Sequence, residues 1–132
     1  MTLDEGNELG PLSYAITRAD LVRYAGASGD FNPIHWSDRV AMSVGLTGVL
    51  AHGMYTMALA GRAVESWLDE GQRVEEFAVR FTKPVPVPDD ELGTRIEVSG
   101  LVKATDDGRT RIDLTVMCGD DKVLGMARAF VA

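Results

Sequence analysis

The sequence predicts an α+β fold in which a curved antiparallel sheet surrounds one long apolar helix. Residues 51–68 form the longest helical candidate, and only two charged residues lie between Gly53 and Leu68, a composition typical of a buried helix. From Arg73 onward, apolar and polar residues alternate, which predicts strands. Turn-forming segments at 106–108 and 119–121 predict that neighbouring strands are antiparallel. A sheet curling around the helix is the simplest way to bury that helix.

Composition limits the possible classes of protein. The chain has 132 residues, 45% of them hydrophobic, which predicts one domain over residues 1–132. Its net charge of −7 argues against binding to nucleic acid, which requires a basic face. Cys118 is the only cysteine, so neither an intrachain disulfide nor a cysteine-based zinc site is expected. Because no apolar stretch is long enough to span a membrane and the N-terminal segment is acidic, unlike a signal peptide, we expect a cytoplasmic protein.

The N-terminal segment predicts a strand followed by a helix. Residues 1–11 are acidic and contain glycine, and we predict that they are mobile. Leu12–Ile16 predicts a short strand. A helix over Arg18–Tyr24 is predicted to begin at Thr17, because Asp20 stands three residues further on, as in a capping box.

A loop and a short helix follow. Gly26 and Gly29 are predicted to end the first helix. Residues 27–36 are rich in turn formers and predict a loop, held in place by apolar side chains: Phe31, Ile34 and Trp36. Ser37 is a suitable N-cap for a short helix over Asp38–Ser43.

The rest of the chain predicts the long helix and four strands. The helix over residues 51–68 is predicted to end at Gly71. Four strands of about ten residues follow, around Phe77, Ile96, Ile112 and Leu124. In the last strand, Leu124, Met126 and Phe130 are predicted to share one face. Three prolines predict an extended edge crossing between the first two of these strands: Pro84, Pro86 and Pro88.

Two side chains of the loop could act on one water molecule. Asp30 and His35 are five residues apart on a loop fixed by turn-forming residues. A carboxylate and an imidazole can each accept a hydrogen bond from the same water, and either can receive its proton. The alternative is that Asp30 only stabilises an Asx turn.

The start of the long helix offers a second chemical feature. No Ser, Thr, Asp or Asn precedes Gly53 to cap the first N–H groups, and glycine allows a ligand to approach the backbone closely. Open N–H groups at a helix N-terminus favour negative charge, such as that on an enolate oxygen. The alternative is a simple glycine cap or a packing role. A zinc site formed by Asp30, His35 and His52 lacks a familiar ligand spacing.

Residues 24–35 read Tyr-Ala-Gly-Ala-Ser-Gly-Asp-Phe-Asn-Pro-Ile-His, and Ala41 follows at a fixed distance. This segment resembles the signature of the MaoC-like (R)-specific enoyl-thioester hydratases. Residues 51–54 resemble the start of that family's central helix, and residues 80–88 resemble the strand and edge segment after it. Within the family, the sequence resembles in particular the catalytic B-type subunits of actinobacterial (3R)-hydroxyacyl-ACP dehydratases. Ala27 departs from the usual residue of the signature, a difference expected to affect packing only.

The resemblance implies the hot-dog fold and a lyase of fatty-acid metabolism. It implies reversible hydration of trans-2-enoyl thioesters to (3R)-hydroxyacyl thioesters, carried by CoA or by acyl carrier protein. In the family the loop Asp and His activate one water, which here would be Asp30 and His35, and the N–H of Gly53 would stabilise the thioester oxygen. Asn32 would fix the loop and Ser28 would support it. This chemistry needs no metal or redox cofactor.

Alternatives and partners remain open at this stage. A hot-dog thioesterase would share the fold, and a non-catalytic acyl-binding partner subunit would be expected to lack Asp30 or His35. A single curved sheet leaves an open edge, so we expect a homodimer or a heterodimer with a sister hot-dog subunit. Three cations are candidates for binding the carrier near the helix and edge strand: Arg62, Arg80 and Lys83.

Overall fold

A computed structural model describes residues 3–105 and 107–132. The chain forms one sheet and three α-helices within this range, and a 3₁₀ turn, Pro33–His35, lies between the first two helices. The elements in chain order are β1 (Glu8–Ile16), α1 (Arg18–Ser28), α2 (Asp38–Ser43), α3 (Gly53–Trp67), β2 (Val74–Phe81), β3 (Thr94–Ala104), β4 (Thr110–Cys118) and β5 (Asp121–Val131). No helix in the described part of the chain is long and apolar enough to cross a membrane.

The sheet has five strands in the order β1-β3-β4-β5-β2, and each neighbouring pair is antiparallel. The predicted fold class is therefore confirmed: a curved antiparallel sheet with one long helix, the hot-dog arrangement. Of the two predicted turns, 119–121 joins β4 to β5. The other includes Asp106, which lies outside the described residues. The two edges of the sheet are β1 and β2.

The core lies between α3 and the sheet. One face of α3 is buried, with Leu59, Val64 and Trp67 between 0 and 7% exposed. These side chains join a single apolar cluster with residues of β1, β3, β4 and β5, including Ile96 and Ile112, and partly buried residues of β2 pack against it. Each large apolar side chain buried in this way contributes roughly 1.5–3 kcal/mol. The predicted burial of α3 is confirmed along this face, whereas Met54 at the start of the helix is 57% exposed.

The proline-containing segment between β2 and β3 positions the start of α3. The backbone N–H of Val87 donates to the carbonyl of Val49 (3.0 Å), and the N–H of Ala51 donates to the carbonyl of Val85 (2.9 Å). The proline-containing segment therefore runs extended and antiparallel to residues 49–51, as the prolines indicated. This pairing fixes the backbone that leads into α3.

Helix starts were predicted accurately, whereas some other boundaries were wrong. Thr17 and Asp20 form the capping box reciprocally, and the Ser37 hydroxyl accepts from Val40 N–H at 3.2 Å. Residues 8–11 belong to β1 and are not mobile, because Leu9 is buried in the core.

The glycines were harder to interpret. α1 continues through Gly26 and ends at Gly29, which adopts the left-handed conformation that favours glycine (φ 79°). α3 ends with Leu68 as its C-cap, and Gly71 lies in the turn that follows.

Candidate active site

The loop after α1 is held together by its own polar side chains. The Ser28 hydroxyl accepts a hydrogen bond from Asp30 N–H (3.1 Å). Asp30 Oδ1 accepts from Asn32 N–H (3.1 Å), and Asn32 Oδ1 accepts from Ile34 N–H (3.3 Å), which begins the 3₁₀ turn. Short polar side chains that bond to the backbone two residues ahead stabilise such turns. The loop therefore has a defined shape although its residues are mostly exposed.

The 3₁₀ turn places His35 with a defined tautomer. Its Nδ1 lies 2.8 Å from the backbone carbonyl of Leu50. Because a carbonyl can only accept, Nδ1 carries the hydrogen, and in the neutral ring Nε2 then carries the lone pair. Nε2 lies 4.0 Å from Asp30 Oδ2. The basic nitrogen of His35 thus faces the free oxygen of Asp30.

The separation of these two atoms suits a bridging water. At 4.0 Å they are too far apart for a direct hydrogen bond, but one water about 2.8 Å from each could donate to both. The two oxygens of Asp30 have different tasks, since Oδ1 completes the Asx turn and Oδ2 faces His35. The Asx-turn interpretation is therefore correct as far as it goes, and it leaves the second oxygen available for chemistry.

The start of α3 presents a free backbone donor. His52 is the N-cap and makes no side-chain capping bond. Gly53 is the first helical residue, so its N–H has no partner within the helix, and no other acceptor for it is found in the described part of the chain. A Cβ at Gly53 would stand 3.0 Å from Cε1 of Phe81. Any other residue here would require the Phe81 ring to shift by a few tenths of an ångström.

A pocket of about 340 Å³ joins these features. Its size is at the lower end of the range for small-molecule sites. Asp30 stands beside it with its side chain 50% exposed. The lining includes His35, Gly53, Thr56, Phe81, Lys83 and Leu124.

His52 lies under the loop and contacts both of its candidate side chains. It is 1% exposed, and its ring stacks on that of His35 with centroids 3.9 Å apart and planes 22° apart. Its Nε2 donates to the backbone carbonyl of Asp30 (3.2 Å), and Tyr24 packs edge-on against it. Burial is the main cause that lowers the pKa of His52. The buried Nδ1 makes no hydrogen bond in the described structure, as expected for the unprotonated nitrogen of a neutral ring.

Asp30, His35 and His52 also satisfy a geometric criterion for a metal site, with one potential ligand atom of each within 4.8 Å of the others. Each histidine donates from one ring nitrogen to a backbone carbonyl, which leaves its other ring nitrogen unprotonated in the neutral ring. That the site works without a metal remains a prediction.

The structure brings the predicted residues together in two groups. His35 and Gly53 line one pocket, and Asp30 faces His35. Ser28 and Asn32 shape the loop and do not line that pocket.

Other predictions for the site fared less well. Of the three cations predicted to bind the carrier, only Lys83 lines the pocket, and Arg62 and Arg80 do not. Lys83 forms an ion pair with Asp121 at 3.3 Å. The contacts of His52 and of Phe81 were missed. The only sequence signal for His52 was a histidine directly before the glycine of a helix start.

Comparison with known proteins gives a consistent result. The family described as MaoC like domain matches residues 5–117. The chain is 31% identical over 114 residues to the 3-hydroxybutyryl-CoA dehydratase of Methylorubrum extorquens, covering 86% of this chain and 71% of that protein. It is 38% identical over 93 residues to 3-hydroxyacyl-thioester dehydratase X of Mycobacterium tuberculosis, covering 70% of this chain. The chain spans only 29% of the length of that M. tuberculosis relative.

A solved structure agrees with these relatives. The R-hydratase PhaJ1 of Pseudomonas aeruginosa superposes with a TM-score of 0.81 at 26% identity, covering 97% of this chain and 80% of that one.

Proposed function

This chain belongs to the MaoC-like domain family, and from that premise we propose that it catalyses the reversible addition of water to trans-2-enoyl thioesters to give (3R)-hydroxyacyl thioesters. The observation that carries the proposal is the pair formed by Asp30 Oδ2 and His35 Nε2, 4.0 Å apart beside a pocket that also contains Gly53. This reaction requires two proton acceptors that hold one water and a hydrogen-bond donor for the thioester oxygen.

Asp30 and His35 hold and activate the water. The Asp30 carboxylate accepts one hydrogen of the water at Oδ2, and His35 accepts the other at Nε2. As the water oxygen attacks C3 of the enoyl group, His35 takes its proton. The hydrogen bond from Nδ1 to the Leu50 carbonyl (2.8 Å) stabilises the resulting imidazolium. His35 then returns a proton to C2 on the same face, so that one water is added in total.

Gly53 stabilises the charge that develops on the substrate. Attack at C3 moves an electron pair through C2 to the thioester oxygen. The N–H of Gly53 is the first donor of α3 and lacks an internal partner, so it can donate to that oxygen. Donors placed in advance at a helix N-terminus favour such an anion over the neutral thioester.

The carrier reaches the pocket from the side of Lys83. The thioester is carried by CoA or by acyl carrier protein, both of which present phosphate groups. Lys83 lines the pocket, and its ion pair with Asp121 is exposed, with side-chain exposures of 59% and 54%. Exposed pairs of this kind contribute little to stability, so Lys83 can exchange Asp121 for a phosphate.

The active unit is a dimer, either of two identical chains or with a sister hot-dog subunit. The edge strand β2 ends at Phe81, which is 56% exposed, and Met54 and Met126 are exposed to similar extents. Pairing of a second sheet along an open edge would cover apolar surface and deepen the pocket. Light scattering of the purified chain, alone and co-expressed with a sister subunit, tests this. An active monomer would contradict it.

Enzyme-dependent loss of the enoyl absorbance of crotonyl-CoA tests the activity. We expect hydration to the (R) product, determined by chiral analysis, and no release of free thiol. A thiol-reactive dye run in parallel identifies a thioesterase instead. Absence of hydration with both short and long enoyl-thioesters, alone and with a sister subunit, would overturn the proposal.

A further inference from the structure

We propose that His52 is a positioning residue of this site. Its ring stacks on His35 and donates a hydrogen bond to the Asp30 backbone, and together these contacts fix the positions of the two water-binding side chains relative to each other. The inference rests on the proposed function. The inference adds to that function a residue that touches neither the water nor the substrate.

The contacts of His52 connect parts of the chain that are otherwise separate. Asp30 and His35 lie on the loop after α1, whereas His52 lies 17 positions beyond His35, at the N-cap of α3. Its ring covers the face of His35 at 3.9 Å, and its Nε2–H holds the Asp30 carbonyl at 3.2 Å. One side chain therefore constrains both the ring plane of His35 and the backbone that carries the Asp30 carboxylate.

The burial of His52 makes this constraint stiff. Its side chain is nearly inaccessible, and Tyr24 supports it edge-on at 4.7 Å between ring centroids. Its Nδ1 makes no hydrogen bond in the described structure. The bond from Nε2 to the Asp30 carbonyl is therefore the hydrogen bond that fixes the orientation of the ring. A displacement of reacting groups by about 1 Å can lower the rate roughly 100-fold. A buried residue that prevents such a displacement therefore affects kcat.

Two substitutions separate the two contacts. His52→Phe keeps a flat ring against His35 but removes the donor to Asp30. His52→Gln keeps an N–H donor at a similar distance from the backbone but removes the stacking surface. Val64→Ala is the matched control, because Val64 is fully buried on the same helix and lines neither the loop nor the pocket.

Steady-state kinetics on crotonyl-CoA provide the first measurement. We expect His52→Phe to lower kcat by roughly 10- to 100-fold with KM within about threefold of wild type. We expect His52→Gln to lower kcat by only about 3- to 10-fold, because the hydrogen bond to the loop is retained. Val64→Ala should lower the melting temperature and leave kcat per folded molecule unchanged. Wild-type kcat in both His52 variants, or losses no larger than the folded fraction explains, would overturn the inference.

A second measurement does not depend on activity. Amide hydrogen exchange over residues 29–36 should be faster in His52→Phe than in Val64→Ala when the two are compared at equal global stability. Equal exchange rates would overturn the inference even if the wild-type chain hydrates no thioester, an outcome that would separately refute the proposed function. If His52→Phe does not fold, the kcat and loop exchange of His52→Gln decide, and wild-type values for both count against the inference.

Discussion

The loop at residues 28–36 and the start of α3 at residues 52–56 meet at one pocket, but they supply different kinds of atoms. The loop is mostly exposed except at His35, which is buried, and it contributes side-chain atoms: Asp30 Oδ2 and His35 Nε2. The helix start, where His52 and Thr56 are buried and Gly53 is exposed, contributes a backbone N–H, that of Gly53. At the loop, function therefore depends on which side chain is present. At the helix start, it depends on whether the backbone can donate and on the room beside Phe81.

The largest loss of activity is expected from substitution of a loop side chain. His35→Ala removes the nitrogen that would take the proton of the water, and we expect kcat to fall by roughly 10²–10⁴. The double variant with Asp30→Asn should be little worse than the poorer single variant, because the two groups act on the same water. Steady-state kinetics of the four proteins measure this, and additive losses would show that the two residues act independently.

The next largest loss of activity is expected from removal of the backbone donor at the start of α3. Gly53→Pro removes the N–H at the first helical position, where proline is tolerated, and the extended conformation of His52 (φ −59°, ψ 130°) suits a following proline. We expect kcat to fall by roughly 10²–10³ with α3 intact. Gly53→Ala is the control, since it crowds Phe81 but keeps the donor. Similar losses in both variants would point to crowding, and the oxyanion role of Gly53 would be abandoned.

A smaller effect sharpens the account of the loop. Ser28→Ala leaves the Asp30 N–H without its present acceptor at 3.1 Å, yet removes no atom that would touch the water. Since the group is exposed and water can replace the lost partner, we expect kcat to fall by less than about tenfold, with a loss of stability of about 1 kcal/mol or less. Kinetics and thermal unfolding measure both. A loss as large as that of His35→Ala would give Ser28 a direct part in the reaction.

The smallest effect concerns the stability of the helix side in acid. Burial lowers the pKa of His52 below its ordinary value of 6.5, so the unfolded chain binds a proton more readily than the folded one. The contribution of neutral His52 to stability is therefore complete above about pH 6.5 and is lost as the pH falls below it. His35, the Asp30 carbonyl and Tyr24 are the groups that face its ring.

Melting temperatures between about pH 7.5 and pH 5.5 measure this contribution. The wild-type protein should lose more stability over that interval than His52→Gln, which cannot titrate. Parallel curves for the two proteins would assign the acid sensitivity to another group.

Local signals in the sequence predicted much of the fold. The capping box of Thr17 and Asp20 fixed the start of α1, and alternation of apolar residues located β2 to β5. The prediction failed where tertiary structure overrides the local pattern. Met126 shares no face with Leu124, because a bulge between β5 and β2 accompanies a left-handed residue at Met126 (φ 46°). That irregularity leaves Met126 56% exposed while Leu124 is buried.

The candidate site divides in the same way. Asp30 and His35 are close in sequence on one loop, so the spacing allowed the hypothesis of a shared water, and the resemblance to the hydratase signature selected it over a plain Asx turn. The stacking of His52 on His35 and the approach of Phe81 to Gly53 depend on how β2, α3 and the loop pack together. No local pattern encodes those contacts. The open N–H of Gly53 was predictable because it requires only the absence of a capping side chain.

Asp30→Asn tests the central claim most directly. Asparagine has an oxygen that can accept from Asn32 N–H as Asp30 Oδ1 does, so the Asx turn and the loop should survive. Only the charge that would face His35 across 4.0 Å is lost. We predict a folded protein with the wild-type melting temperature to within a few degrees and with kcat for crotonyl-CoA hydration lowered by roughly 10²–10⁴. A folded Asp30→Asn protein that still turns over within a few-fold of wild type would contradict the account.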